Sequence, residues 1–460
     1  MGTSSNISRR KFLRTTTAAA IGGATLGSPM LARAIQQAPG QKKRFALVGT
    51  GVRGVSMYGR TMLQRFGDYV ELVGLCDQNP GRVAYAQQYV GTEAPTFTNL
   101  AQMLETTQPE WLMVTVWDWR HHEAIITALE HGVNVIVEKP ITIDEVKAQA
   151  ILDAHRRFGN RVVVAHNYRY SPHRAALKDM IMQGTIGEVT SVDFQWFLSH
   201  GHLQQYMQRW HGHVENGGSL WVHKASHHFD LVNWWVDSEP VEVFAMGSLD
   251  TFGRAGPFRG VNCRNCAHTQ ECNYYFNILN DQHLTRLYVE NEQHDGYIRD
   301  NCVFRESINI WDKHSAVVRY ANGAFLNYSL TGTSGYEGLW VAIDGTRGRI
   351  EGRESGSPGL TEHEWIVSVR GQPQERVRIA FGAGGHFGGD NALMDRLFRD
   401  MEQPDPLHQR ASSREGVMAV LPGIAARKSI ATGMPVRIAG LTDLVPQVRR
   451  PPLDEGSPSA

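Results

Sequence analysis

The chain has 460 residues, with 46 Lys and Arg against 46 Asp and Glu and an apolar content of 42 %. Zero formal net charge excludes a global field that would draw nucleic acid or a cationic partner, and the apolar content excludes a disordered chain. Five cysteines are too few for a disulfide-dense scaffold, and past the N-terminus no apolar run reaches the ~18 residues of a membrane-spanning helix.

In chain order, Ser8-Arg9-Arg10-Lys11-Phe12-Leu13 precedes a weakly apolar stretch from Thr15 to Leu31. Ala32-Arg33-Ala34 then supplies small residues at the two positions a signal peptidase reads. The paired arginines beside Phe12 and Leu13 resemble a twin-arginine (Tat) signal, which implies export of a folded protein to the periplasm. Gly22, Gly23 and Gly27 make this run a poor permanent anchor. The expectation is a signal peptide over 1–34 and a Gln-, Pro- and Gly-containing linker over 35–42.

Arg44-Phe45-Ala46-Leu47-Val48 reads as a buried strand and leads into Gly49-Thr50-Gly51-Val52-Arg53-Gly54, a G-x-G-x-x-G, with helical character through Met62. Gly49 permits the tight turn, Gly51 lets the backbone approach a pyrophosphate, and Gly54 allows close helix–strand packing. The helix N-terminus faces the anion, so Val52 and Arg53 fall at the same site. A second strand from Val70 to Leu75 ends in Cys76-Asp77, and Asp77 stands 23 residues past Gly54, near the ~20 expected of a ribose-binding acid. These features predict a dinucleotide site. Asp77 favours NAD, since a 2′-phosphate would face a carboxylate. Arg82 either softens that preference toward NADP or is a solvated helix residue.

The alternation continues with a strand over 111–116, a helix over 123–130 and a strand over 133–137 that ends in Glu138-Lys139-Pro140. Strands alternating with helices predict a doubly wound parallel sheet over 43–165. Its ligands sit at the carboxyl ends of the strands.

The strand–G-x-G-x-x-G opening, His121 ahead of Ala128-Leu129, Glu138-Lys139-Pro140 and the run Val162 to Tyr170 together resemble the Gfo/Idh/MocA family, the glucose–fructose oxidoreductase and inositol dehydrogenase group. The resemblance covers nearly the whole mature chain. It implies an α/β protein: an N-terminal Rossmann domain, then a C-terminal α/β domain over 166–445 with an open, mostly antiparallel sheet, and a tail over 446–460. It also implies NAD(P)-dependent chemistry on sugars, cyclitols and polyols, and a homo-oligomer. Glu138 and Lys139 fall at the cofactor, with Lys139 at the substrate hydroxyl. Gly217-Gly218 to Asp230 resembles the family's second-domain motif and puts His227 at the catalytic histidine. The position four residues earlier, commonly an aspartate, is His223, which brings no fixed negative charge. On a helix, residues 223 and 227 share one face. The resemblance places Tyr168 and Arg169 on a strand lining the substrate cleft, with ordinary sheet packing as the other reading of each, and brings His386 of the segment Gly385 to Asp390 toward the site. Asp230, Trp234 and Trp235 read as packing residues. Ala411 to Gly433 reads as a helical return with Gly433 as its stop.

Cys263, Cys266 and Cys272 form C-x2-C-x5-C, and 29 residues separate Cys272 from Cys302. They lie in an insertion (253–302) with little apolar periodicity. Four thiolates suit a structural zinc ion or an iron–sulfur cluster; two disulfides, or free thiols, are the other readings. Cys76 is a small core residue. His200, His202, His211 and His213 form H-x-H pairs that alternate as on a strand; with no carboxylate completing a ligand set, hydrogen bonding to a hydroxyl-rich substrate suits them better than metal catalysis.

The expected reaction is hydride transfer between a secondary alcohol and a tightly held nicotinamide, with Lys139, His227 and His223 handling the proton. Two alternatives stand beside it. One is a glycosidase that uses bound NAD for transient oxidation, elimination, hydration and reduction. The other is a non-catalytic sugar-binding protein on the same fold, for which His223 is the main support.

Overall fold

The computed structural model describes residues 42–356 and 359–449. The signal peptide read over 1–34 lies outside the described residues, as does most of the linker.

The first sheet is built from β1 (Lys43–Val48), β2 (Val70–Cys76), β3 (Thr96–Phe97), β4 (Trp111–Val114), β5 (Asn134–Val137) and β6 (Val162–Val164). These six pair in parallel in the order β6-β5-β4-β1-β2-β3. Their side chains are almost all buried, Trp111–Val114 throughout, because helices cover both faces of a parallel sheet and leave no solvated side. Strand order reverses between β1 and β4, so the crevice for a ligand opens at their carboxyl ends.

The second sheet carries β7 (Val189–Ser199), β8 (Pro240–Ser248), β9 (Lys313–Tyr320), β10 (Phe325–Ser334), β11 (Gly338–Gly345), β12 (Gly348–Ser355), β13 (Glu362–Val369) and β14 (Glu375–Ala380). Its order is β14-β13-β12-β11-β7-β10-β9-β8, and only β7 and β10 run parallel. Burial alternates residue by residue along β9 and β10, as in a sheet with one face on the core and one outward. The covered face packs on Ala225–Val236, a helix buried along its whole length, and on Ser413–Thr432.

Two short late strands tie the halves together. β15 (Ala411–Ser412) returns to the edge of the first sheet beside β6, and β16 (Val436–Arg437) closes the second beside β8. Ser412 and Glu415 form a reciprocal cap at the start of the final helix, and Gly433 ends it in the left-handed conformation (φ 69°), the stop the sequence predicts. The beginning of the expected tail is anchored: Arg449 pairs with Glu239 at 3.0 Å and with Glu415 at 2.8 Å.

Three local expectations change. β6 stops at Val164, and Asn167–Tyr170 curls into a short 3-10 turn, so Tyr168 and Arg169 are not strand residues. β7 stops at Ser199, and His200–Gln208 is helical, so the H-x-H residues do not alternate on a strand. The segment 253–302 is irregular as expected but folds back over the glycine loop of the first domain: the Val52 N–H donates to the Tyr288 hydroxyl at 3.0 Å.

Candidate active site

One cavity of about 860 Å³ lies between the carboxyl ends of the first sheet and the second domain. Gly49, Gly51, Val52, Arg53, Asp77, Glu138, Lys139, His223, His227 and His386 all line it. Gly54 does not, and its role is packing. A Cβ there would stand 2.2 Å from the Gly49 carbonyl oxygen.

The dinucleotide corner is shaped by backbone. Gly49 has φ +91°, and a Cβ on it would lie 2.4 Å from the Thr115 carbonyl carbon, so only glycine turns the chain here. Asp77 Oδ2 accepts from Thr50 N–H (2.8 Å) and the Thr50 hydroxyl (3.0 Å), while Oδ1 accepts from Asn79 N–H (2.9 Å). This fixes the carboxylate at the end of β2, where a ribose diol is read in this fold. Arg82 is not a solvated helix residue. It is buried, 3.4 Å from Asp77, and ion-paired with Asp295 of the insertion. A left-handed glycine turn, an acid at the strand end and a helix start fit a dinucleotide.

Across the cavity a polar chain joins the domains. Glu138 accepts from Arg53 Nε (2.6 Å) and the Tyr58 hydroxyl (2.8 Å). Burial pushes this carboxyl up, but Arg53 beside it holds it below its ordinary range. Arg53 also reaches Asp390 at 3.2 Å, and Asp390 accepts from Asn167 (2.6 Å) and contacts His386 Nδ1 (2.9 Å). His386 therefore reaches the site, as expected.

Lys139 follows Glu138 at the end of β5, and its Nζ donates to the His223 carbonyl at 3.2 Å. Burial pulls its ammonium down to about 8, against the opposing pull of Asp118 and Glu138. His121, 2.8 Å from the Pro140 carbonyl through Nδ1, braces the turn that carries Lys139. His223 ends the short helix Leu220–His223, and His227 lies in the first turn of the next, Ala225–Val236, past a break at Lys224. Burial first, then the charges of Lys139 and Lys224, holds its imidazole well below the ordinary value. It is neutral at neutral pH, and its buried Nδ1 has no hydrogen-bond partner among the described residues.

The carboxyl group that His223 cannot bring comes from Asp118, at the switch point after β4. Asp118 Oδ2 stands 2.5 Å from His223 Nδ1. Burial lifts the carboxyl and lowers the imidazole; Lys139 beside them opposes the first shift and adds to the second. The pair thus shares one proton, with Nδ1 committed to Asp118 and Nε2 the nitrogen left for a ligand. The sequence reading missed Asp118, although a strand end in a doubly wound sheet is where such a residue belongs.

Two of the substrate residues expected on the cleft wall stand behind it. Tyr168 stacks on His227 with centroids 3.9 Å apart, and its hydroxyl accepts from Lys224 at 3.2 Å. Arg169 is 1 % exposed and grips Asp230 through two nitrogens (2.8 and 2.6 Å) and Glu415 through another (3.1 Å). Its guanidinium is committed to these carboxylates and to the His408 carbonyl (3.1 Å), behind the cavity wall. Asp230 is the packing residue the sequence predicts, and Trp234 and Trp235 are buried. His202 and His211 line the cavity, whereas His200 and His213 do not. Aromatic residues missed by the sequence reading complete the wall. Trp117 meets Tyr297 of the insertion edge-on at 5.9 Å, and Trp210 stacks on His211 at 3.5 Å.

Cys76 is buried at the end of β2, a core residue as expected, and Cys263, Cys266, Cys272 and Cys302 form no disulfide among the described residues. Among the described residues, no three His, Cys, Asp or Glu side chains already converge to hold a metal ion.

Comparison with known proteins agrees with this geometry. A family model described as oxidoreductase family, NAD-binding Rossmann fold, matches residues 43–166, and its C-terminal alpha/beta domain companion matches 178–438. YteT of Bacillus subtilis (strain 168), which is named as an oxidoreductase, is 32 % identical over 420 residues, 86 % of this chain and 97 % of that protein. An inositol 2-dehydrogenase/D-chiro-inositol 3-dehydrogenase of Lactiplantibacillus plantarum is 24 % identical over 193 residues, 41 % of this chain and 52 % of that protein. Levoglucosan dehydrogenase, solved with NADH and levoglucosan, shares the fold with a TM-score of 0.63 at 18 % identity, covering 86 % of this chain and 100 % of that one. With the glycine loop inside one matched domain and the histidine motif inside the other, the chain belongs to the Gfo/Idh/MocA oxidoreductase family.

Proposed function

We propose that the protein is an NAD-dependent dehydrogenase that moves hydride between a secondary alcohol of a sugar or polyol and a nicotinamide it keeps bound. One observation carries this reading: the glycine loop with Asp77 and the proton-handling set of Lys139, His227 and His223–Asp118 open into the same cavity. The inositol and levoglucosan dehydrogenases bear the names of polyhydroxylated compounds, which supports the substrate class. Imidazoles of His202 and His211 and the rings of Trp117, Trp210 and Tyr297 suit the edges and faces of such a compound.

When bound, the nicotinamide supplies the hydride acceptor at its C4. The remaining work belongs to the chain. Lys139 Nζ binds the hydroxyl oxygen and takes its proton in the oxidising direction, returning it in the other. His227, neutral, donates its ring N–H to the hydroxyl oxygen and orients it. Asp118 fixes the His223 tautomer so that Nε2 faces substrate as an acceptor. Asp118 also removes the main support for the non-catalytic reading. Asp77 and Asp295 outnumber Arg82 at the ribose corner, which favours NAD over a cofactor bearing a 2′-phosphate.

The proposal includes export by the Tat route, read from residues 8–34, and self-association through the outer face of the second sheet, where Phe244, Met246, Val317 and Phe325 are exposed. No free nicotinamide pool exists outside the cytoplasm, so retention of the cofactor and its recycling by a second substrate belong to the same reading.

Native and denatured mass spectra of the mature protein, with extraction of small molecules, test it. Bound NAD, together with deuterium transfer from a C-deuterated polyol to a ketose without added cofactor, is the expected result. A protein that holds no dinucleotide and takes none up overturns the proposal. Cleavage of a glycoside with no net change in cofactor redox state would replace it by the oxidation–elimination route.

A further inference from the structure

The insertion brings four distant cysteines around one small space. Cys263 N–H donates to the Asp300 carbonyl (2.8 Å) and Cys302 N–H to the Val261 carbonyl (3.1 Å), so two antiparallel segments set Cys263 beside Cys302. Cys266 N–H closes a tight turn on the Cys263 carbonyl at 3.3 Å, and Cys272 N–H closes another on the His268 carbonyl at 3.0 Å. All four side chains line one cavity of about 10 Å³, otherwise walled by Phe258, Tyr274 and Val303 among others. Among the described residues no basic side chain lines it.

The sulfurs are treated as acceptors. Cys302 Sγ receives the N–H of Gly260 and of Phe304, each at 3.4 Å. Cys266 Sγ receives the N–H of His268 at 3.4 Å, and Cys263 Sγ the Gln208 side-chain amide at 3.3 Å. In two of these the donor is the N–H two residues past the cysteine, a turn that wraps backbone donors around sulfur. A neutral thiol is a weak acceptor, whereas a thiolate gains from each such bond. In so apolar a cavity four sulfurs can all be thiolates only with a cation between them; Arg305, the basic side chain nearby, donates to the Cys302 carbonyl at 3.0 Å.

We propose that Cys263, Cys266, Cys272 and Cys302 bind a metal centre through four thiolates. The four side chains line the same cavity without converging on a single point, so binding the metal would draw them together. The centre would pin the root of a segment whose far part places Tyr288 on the glycine loop and Asp295 on Arg82. Its role is structural. It stands apart from the hydride chemistry, so its failure would leave that reading intact.

The test uses the full mature protein purified without chelator. Elemental analysis with native and denatured mass spectrometry is expected to find stoichiometric zinc, or iron with acid-labile sulfide and visible absorption; each is the proposed centre, and the two are told apart by colour and sulfide. The Cys266→Ser/Cys272→Ser variant should lose the metal and keep the second-domain fold. Should that variant not fold, mercurial titration of the wild type decides, since metal release must parallel the titration of four thiols. Metal-free protein with a denatured mass lowered by two or four hydrogens, as disulfides require, overturns the proposal. So does metal-free protein in which all four thiols react freely.

Discussion

The first sheet and the segment 253–302 reach the same cofactor corner by opposite means. The sheet gets there by periodicity: buried strands, a glycine turn and an acid at a strand end set Asp77 and Lys139 in place through backbone geometry alone. The insertion gets there by isolated side chains, with Tyr288 on Val52 and Asp295 on Arg82, across a stretch that is mostly loop. Geometry built from ladders tolerates the loss of any one side chain, whereas geometry built from single contacts does not. Strand-end residues should therefore matter through chemistry, and insertion residues through retention of what they cover.

Lys139 gives the largest expected effect. Lys139→Ala should lower turnover about 10³-fold, within the usual range for a general acid–base group, while bound NAD and thermal stability stay close to wild type. The sign of the pH dependence follows from its depressed value. Lys139 accepts a proton when the alcohol is oxidised, so that rate should climb with pH and level off above about 8. Ketone reduction, which needs the protonated form, should fall over the same range. Turnover that keeps the same rising limb in Lys139→Ala would transfer the role to another group.

Next comes Arg169, where the expected loss is of stability instead of chemistry. Its removal leaves Asp230 and Glu415 without their buried partner, and breaking one side of a buried ion pair costs about 3–5 kcal/mol. Arg169→Met should lower the denaturation midpoint sharply yet keep kcat per folded molecule. A soluble, stable variant with a raised KM would restore the substrate role that the sequence suggested.

These two residues mark what was legible. Lys139 was found because a motif and a strand end coincide, and strand ends follow from hydrophobic runs. Arg169 was misplaced because the resemblance carried a strand past Val164, although the chain curls at Asn167; a short turn leaves no periodic trace in three or four residues. His200 and His202 were misread from alternation, an H-x-H pair having period two on a strand and no meaning on the helix that begins at His200. Asp118 was invisible for another reason. Its contact with His223 spans 105 positions in sequence, and no local pattern encodes a partner so far away. The topology did hold a clue, since β1 and β4 flank the switch point and Asp118 follows β4.

Asp118→Asn sharpens the comparison at the strand end. The amide can donate to Nδ1 and so favours the wrong imidazole tautomer, with little change in shape. As a positioning residue, Asp118 should affect kcat by about 10²-fold, leave KM within a few-fold, and alter the pH profile of turnover. Unchanged kcat with a lower melting temperature would make the pair structural.

Tyr288→Phe tests the other side of the comparison and carries the smallest effect. The Tyr288 hydroxyl accepts the Val52 N–H at 3.0 Å, and a Cβ on Gly51 would lie 3.2 Å from it, so the hydroxyl sits where the loop meets a pyrophosphate. One hydrogen bond contributes about 0.5–1.5 kcal/mol, or roughly 2–10-fold in an equilibrium. If the insertion clasps the cofactor, the variant should release NAD faster by about that factor in a dilution experiment, with turnover of the bound form unaltered. Slower release would mean the opposite: a hydroxyl that competes with phosphate for the same N–H, and an insertion that must lift before the dinucleotide can enter. The two outcomes differ in sign, so even a two-fold change separates a clasp from a plug.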